Sequence, residues 1–158
     1  MNFSVRFVSV RNHRKKISKR FFKLKQVTNS RSIMHENGIS KIIVDTAFKI
    51  HTQLGPGLLE SVYEEILHHE LINLGLHVQR QKGIPVIWDN LKMEMGFRAD
   101  LIVENKVIIE IKSVEILAPV HPKQLLTYLR LTNMKLGLLI NFNEPIIKNG
   151  IKRIVNNL

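Results

Sequence analysis

Residues 100–113 of this chain have the sequence DLIVENKVIIEIKS. Two apolar segments flank the tripeptide ENK, a pattern typical of a β-hairpin. If ENK forms a three-residue loop, Val103 pairs with Val107, and Asp100 lies opposite Glu110. Paired residues point to the same side of a sheet, with Cβ atoms roughly 5 Å apart. The sequence therefore predicts two carboxylates side by side on neighbouring strands.

A lysine accompanies this acid pair. Side chains alternate along a strand, so Glu110 and Lys112 share one face. Two close carboxylates repel each other, and a divalent cation relieves that repulsion, as Lys112 does in part. Hard oxygen ligands suit Mg²⁺ or Mn²⁺, whose bound water has a lowered pKa and can attack phosphorus. The pattern indicates metal-assisted phosphodiester cleavage, and the alternative is a cross-strand ion pair on a solvated face.

Polar residues on two predicted helices accompany the hairpin. Glu60 lies in the first turn of the second helix, just after a GPG sequence, and Tyr63 follows at i+3 on the same side. Gln124 and Tyr128 form an i, i+4 pair on the helix after the hairpin. Each has a structural explanation, since an acid near a helix N-terminus stabilises the dipole and a glutamine–tyrosine pair can be a polar flank. Together they place further polar groups beside the acid pair.

Periodicity and turn signals predict the order ααβββαβα. The first helix is expected over residues 40–55, with Ser40 as its N-cap and Gly55 at its end. The other elements are a helix over 58–75, strands over 76–89, 91–103 and 106–115, a helix over 121–133, a buried strand over 135–142, and a closing helix or helical turn over 144–158. Helices before and after strands in one short chain favour an α/β domain with a mixed sheet.

Composition sets the class of protein. The chain has 158 residues, of which 44% are hydrophobic, and no cysteine. This length suits one domain with a proper core. Without cysteine there is no disulfide framework and no thiolate metal site, which favours a reducing, cytoplasmic location. No apolar run approaches the roughly 20 residues that span a bilayer, so no membrane partner is expected.

The net charge of +11 is concentrated at the N-terminus. Residues 1–33 hold ten Lys and Arg and no acid, so the remainder has 24 − 10 = 14 basic residues against 13 acidic ones, a net charge of +1. The basic segment could track phosphates, act as an organelle or nuclear targeting segment, or be upstream sequence before a natural start at Met34. We therefore set residues 1–33 apart from a domain over residues 34–158.

The motif GLLESVY, residues 57–63, resembles the GxxExxY signature of the GxxExxY proteins, a branch of the PD-(D/E)XK nuclease superfamily. The resemblance runs over residues 39–154 and includes LGPGLLESVYEE, ADLIVENKVIIEIKSVE, QLLTYL and GLLINF. It implies a restriction-endonuclease-like domain with an αβββαβ core and flanking helices. Ala99 replaces the proline that names the superfamily, a residue that shapes the backbone and ligates nothing.

The resemblance also implies roles for the site residues. Asp100 and Glu110 would bind the catalytic metal, Lys112 would be the catalytic lysine, and Glu60 would complete the site directly or through water. Gln124 and Tyr128 match the QxxxY motif of some nuclease branches, which orients the site or substrate. We expect Tyr63, on the other helix, to support the site together with these two residues.

We therefore expect a nuclease dependent on Mg²⁺ or Mn²⁺ that hydrolyses DNA or RNA phosphodiester bonds. The alternative is a non-catalytic nucleic-acid- or protein-binding module that retains the fold. The near-neutral domain argues against tight binding to long duplexes by the domain alone. A protein partner, or a homodimer through an apolar terminal helix, is compatible with either function.

Overall fold

The computed structural model describes residues 34–158, so the predictions made for residues 1–33 lie outside the described residues. The elements, in chain order, are α1 (Glu36–Leu54), α2 (Glu60–Asn73), β1 (Val78–Trp88), β2 (Leu91–Val103), β3 (Val107–Lys112), α3 (Val120–Thr132), β4 (Leu136–Asn141), α4 (Ile147–Gly150) and β5 (Ile151–Val155). Among these residues, no helix combines the length and apolarity needed to cross a bilayer.

The five strands form one mixed sheet in the order β1-β2-β3-β4-β5. The pair β3 and β4 is parallel and the other pairs are antiparallel. Helix α3 provides the crossover between the two parallel strands, which a hairpin turn could not join. The prediction of a single α/β domain with a mixed sheet and flanking helices is confirmed.

The core is centred on β3 and β4. All six residues of β4 are buried, and five of the six in β3 are buried. On the side of α3, buried residues of that helix pack against the sheet: Leu125, Tyr128 and Leu129 from the helix, with Ile102, Ile108 and Leu139 from the strands. Buried apolar residues of α1 and α2 complete the interior: Ile39, Ile43, Ala47, Ile50, Tyr63, Leu67 and Leu71.

The end of the chain differs from the prediction. Instead of a closing helix, a single helical turn, α4, precedes the strand β5, which pairs with β4 from Ile140↔Ile151 to Leu136↔Val155. A buried strand needs partners for its backbone N–H and C=O groups on both edges, and β5 supplies them for β4. The apolar terminal helix that the homodimer prediction required is therefore replaced by a strand of the sheet.

The first helix also begins earlier than predicted. It starts at Glu36 with His35 at the N-cap position, so Ser40 is a buried residue within the helix and not its cap. Its predicted end is correct, because Gly55 occupies the C-cap with a φ of 68° and donates its backbone N–H to the carbonyl of His51. That left-handed conformation favours glycine.

Candidate metal and phosphodiester site

Asp100 lies at the point where β2 and β3 separate. The pairs Val103↔Val107 and Leu101↔Ile109 confirm the predicted register, which brings Asp100 opposite Glu110. Asp100 Oδ2 accepts a hydrogen bond from the backbone N–H of Ile111 at 2.8 Å. Burial raises the pKa of Asp100, although this hydrogen bond and the charge of Lys112 act in the opposite direction.

Glu110 is the most perturbed acid of the site. It is only 8% exposed, and its Oε1 atom has no hydrogen-bond partner in the described part of the chain. Burial, followed by repulsion from Asp100, raises the pKa of Glu110 to about 8. An orphaned, buried carboxyl oxygen is costly. The position therefore favours either a proton or a cation beside Glu110.

Lys112 supplies the positive charge of the site. Its Nζ lies 3.8 Å from Glu110 Oε2 and donates a hydrogen bond to the carbonyl of Ile111 at 3.0 Å. Its side chain is 19% exposed. The interaction with Glu110 is loose compared with a direct hydrogen bond. The ammonium group thus lies beside the acid pair without a direct hydrogen bond to Glu110.

Asn141 holds the chain that follows β3. This residue is fully buried at the end of β4, opposite Lys112 in the parallel pair. Its side-chain amide donates to the carbonyl of Val114 at 2.8 Å and accepts from the backbone N–H of Val114 at 3.0 Å. Two hydrogen bonds to one residue fix its orientation, so Asn141 sets the direction of the segment after Lys112.

Glu60 reaches the same segment from the start of α2. Its Oε1 accepts a hydrogen bond from the backbone N–H of Ser113 at 3.1 Å, and Ser113 Oγ donates to the carbonyl of Leu58 at 2.6 Å. The charge of Glu60 contributes to the raised pKa values of Asp100 and Glu110. The structure thus brings Glu60 to the residues that directly follow Lys112.

Tyr63 is a fully buried residue of α2. Its hydroxyl donates to the carbonyl of Gly55 at 2.6 Å and accepts from the backbone N–H of Leu58 at 3.3 Å. Its ring stacks on Phe142, with ring centroids 4.4 Å apart. Its contacts hold the loop that precedes α2, and through that loop they position Glu60.

Tyr128 lies on the α3 side of the acid pair. Its ring stacks on Phe97 at a centroid distance of 3.8 Å, and its hydroxyl accepts a hydrogen bond from the Gln124 side chain. Burial, with a further contribution from the charge of Glu110, raises the pKa of Tyr128. The charge of Glu110 therefore acts on Tyr128.

A cluster of three interacting residues on the β1 side of the site was also not predicted from the sequence. The buried Glu64 forms an ion pair with Arg80, and it accepts a hydrogen bond from Gln81 Nε2 at 2.6 Å. Gln81 Nε2 also lies 3.4 Å from Asp100 Oδ1. Glu64 lies in α2, whereas Arg80 and Gln81 lie in β1. No short sequence motif spans the two elements, so the sequence does not reveal the cluster.

The acid pair fits a hard divalent cation. Among residues 34–158, no three His, Cys, Asp or Glu side chains converge as a ready-made metal cage. Mg²⁺ is usually bound by one or two carboxylates together with waters and substrate phosphates, and does not need such a cage. The unpartnered oxygen of Glu110 and its repulsion from Asp100 are the features that a cation would relieve.

Comparison with known protein families agrees with the fold. A family model described as the PD-(D/E)XK nuclease superfamily matches residues 37–154. No curated protein and no solved structure is significantly similar to the chain. The matched segment contains all the strands but the last residue of β5, and it contains the acid pair and Lys112. This chain therefore belongs to the PD-(D/E)XK nuclease superfamily.

Proposed function

We propose that this protein is a metal-dependent nuclease that hydrolyses phosphodiester bonds in DNA or RNA. The observation that carries the proposal is the grouping at the β2–β3 junction. There, Glu110 has a buried, unpartnered carboxyl oxygen, Asp100 raises its pKa, and Lys112 Nζ lies 3.8 Å away. A solvated surface ion pair would not bury the acid or leave one of its oxygens without a partner.

Asp100 and Glu110 would hold the cation, either Mg²⁺ or Mn²⁺. When bound, such an ion lowers the pKa of its water and stabilises charge on phosphoryl oxygens. Glu60 supports the site from α2, through its hydrogen bond to the backbone of Ser113. Because burial holds the pKa of Glu110 at about 8, a proton occupies this carboxyl near neutral pH until a cation replaces it.

Lys112 would act on the substrate or on the attacking water. A fixed ammonium group beside the acid pair stabilises negative charge that develops on the phosphoryl oxygens. The contacts of its ammonium group with Glu110 and with the carbonyl of Ile111 keep that group at the site. Because the contact with Glu110 is loose, the ammonium group stays available to an anionic substrate. Gln124 and Tyr128, on the α3 side, would orient the substrate or the site.

The test is cleavage of nucleic acids by the full chain in Mg²⁺, in Mn²⁺ and in a chelator. Single-stranded, duplex and branched DNA and RNA should be compared. We expect cleavage that requires the metal and that falls at least about 100-fold in Lys112→Met, because one charge-stabilising donor is lost. Lys152→Met, an exposed lysine of β5, is the matched control and should cleave like the wild type.

Binding of nucleic acid without cleavage in either metal would contradict the proposal. It would instead favour the binding module, in which the acids and the lysine serve only the fold. Equal loss of cleavage in Lys112→Met and Lys152→Met would also count against a specific role for Lys112. Circular dichroism of both variants establishes that the fold is retained.

A further inference from the structure

Gln81 has an unusual backbone in the middle of β1. Its φ is 50°, in the left-handed region that residues other than glycine rarely occupy. The neighbouring pairs Arg80↔Leu101 and Lys82↔Ala99 are regular, and the position of Gln81 opposite Asp100 interrupts the ladder between them. Such a conformation costs of the order of 1 kcal/mol or more and persists only where the surroundings hold it.

This conformation changes where the side chains of β1 point. In a regular strand, successive side chains lie on opposite faces. Here the consecutive residues Arg80 and Gln81 both contact Glu64, Arg80 by an ion pair and Gln81 through its amide at 2.6 Å. The left-handed turn of the backbone thus brings two adjacent side chains to one acid on α2.

The Gln81 amide links this acid to the candidate site. Its nitrogen donates to Glu64 Oε2 at 2.6 Å and lies 3.4 Å from Asp100 Oδ1. The other oxygen of Asp100 accepts from the backbone N–H of Ile111 at 2.8 Å. Both oxygens of Asp100 therefore face fixed donors, one on β1 and one on β3, and rotation of the carboxylate would lose one of them.

We propose that Gln81 is a positioning residue that fixes the rotation of the Asp100 carboxylate, and that Glu64, held by Arg80, fixes Gln81. Both oxygens of Glu64 are occupied, one by Arg80 and one by Gln81, so Glu64 is itself held in place. The consequence for metal binding rests on the proposed nuclease function, whereas the consequence for Asp100 does not.

The test variant is Gln81→Gly in the full chain. Glycine adopts a φ of 50° without strain, so this change removes the amide and relieves the backbone. Its melting temperature should stay close to that of the wild type, because the relieved strain offsets the hydrogen bond that the buried Glu64 loses. The backbone amide of Ile111, followed by NMR, should shift and exchange faster with solvent, because its acceptor on Asp100 is no longer held.

Metal affinity gives the second readout. In Gln81→Gly, the dissociation constant for Mn²⁺, measured by titration calorimetry without substrate, should rise roughly 10- to 100-fold, as when other groups that orient metal ligands are removed. The turnover number for cleavage should fall while the KM for nucleic acid changes little. A residue with only a structural role would alter stability and leave the Ile111 resonance and the Mn²⁺ affinity unchanged.

Gln79→Gly is the matched control on the same strand. Gln79 pairs with Ile102 in the regular ladder and donates its amide to Asn105, away from the acid pair. This variant should lower the melting temperature, because glycine weakens a regular strand. It should leave the Ile111 amide and the Mn²⁺ affinity as in the wild type.

The outcomes separate this inference from the proposed function. An unchanged Ile111 amide and unchanged Mn²⁺ affinity in Gln81→Gly would overturn the positioning role. A shifted Ile111 amide in a protein that binds no Mn²⁺ in its wild-type form would support the positioning of Asp100 and count against the metal-dependent nuclease. Similar Ile111 shifts in both glycine variants would overturn the inference, since the effect would not be specific to Gln81.

Discussion

At the scale of single residues, Glu110 links the electrostatics of the site to the stability of the protein. Its pKa rises from an ordinary value of 4.5 to about 8, first because of burial and then because of Asp100. Between these two values the folded protein holds a proton that the unfolded chain has lost. Unfolding then releases a proton, so the free energy of unfolding falls as the pH rises through this window.

We therefore predict that Glu110→Gln stabilises the metal-free protein at alkaline pH. The neutral amide removes the cost of ionising a buried acid. At pH 8.5 the gain should reach at most about 5 kcal/mol, because the pKa rises from 4.5 to about 8 and each unit is worth about 1.4 kcal/mol. Below pH 4.5 the gain should disappear, because the acid is protonated in both states. Urea unfolding in a chelator, from pH 3.5 to 8.5, measures this difference.

The exposed Glu115 provides the control for this experiment. Glu115→Gln should follow the wild-type dependence of the free energy of unfolding on pH throughout the range. If the free energy of unfolding of Glu110→Gln shows the same dependence on pH as the wild type, then burial does not raise the pKa of Glu110.

The same residues show what sequence can and cannot reveal about the site. The proximity of Asp100 and Glu110 follows from the length of a three-residue loop and from the alternation of side chains along a strand. Both features can be identified in the local sequence. The contact between Gln81 and Glu64 depends on how α2 packs against β1 and on one left-handed residue. Nothing in the composition around Gln81 signals that conformation, since glycine or asparagine would be the usual choice.

At the scale of elements, the distance between α3 and the sheet depends on Gly137. A Cβ atom at this position of β4 would lie 2.8 Å from Cγ of Leu125, which is itself fully buried in α3. Real Cβ atoms do not approach so closely, and Leu125 is enclosed by the core around it. The absence of a side chain at Gly137 therefore sets how closely α3, which carries Gln124 and Tyr128, approaches β4.

We predict that Gly137→Ala lowers the free energy of unfolding by about 1–3 kcal/mol, the usual cost of overpacking a core. Urea unfolding monitored by circular dichroism measures the change. Gly38→Ala in α1 is the matched control, because a Cβ there meets nothing within 4 Å. That substitution should be neutral or stabilising by up to about 1 kcal/mol, since alanine favours a helix. Equal effects of the two substitutions would contradict this account of the packing.

The strand β5 shows why element type was less predictable at the chain end than at the hairpin. The segment IKRIV has Ile151 and Ile154 three residues apart, a spacing that fits a helix as well as a short strand. What decides the outcome is the open edge of β4, whose six buried residues need backbone partners. This requirement arises only when the sheet is assembled, so the local sequence of the five residues does not predict it.

At the scale of the whole molecule, charge and core are separated along the chain. In the described part of the chain, all the buried hydrophobic residues lie between Ile39 and Ile147. Residues 34–158 carry a net charge of only +1, because 14 basic residues face 13 acidic ones, whereas residues 1–33 hold ten basic residues and no acid. Nonspecific affinity for nucleic acid should follow this division, since it depends on the number of phosphates neutralised.

We predict that a chain starting at Met34 binds duplex DNA weakly and with a shallow dependence on salt. The slope of log K against log salt should be smaller in magnitude than about 2, and the full chain should give a clearly steeper slope. Fluorescence anisotropy measures both slopes. Salt concentrations between about 50 and 200 mM suit the experiment, because affinity for DNA changes strongly over that range. Equal slopes would show that residues 1–33 do not contact phosphates.

Anomalous diffraction from a crystal soaked in Mn²⁺ would show whether Asp100 and Glu110 share one cation beside Lys112. We expect one strong anomalous peak about 2 Å from an oxygen of each acid. In an Asp100→Asn crystal soaked in the same way, that peak should weaken or vanish. A peak bound by other residues, or none near this acid pair at saturating Mn²⁺, would contradict the account.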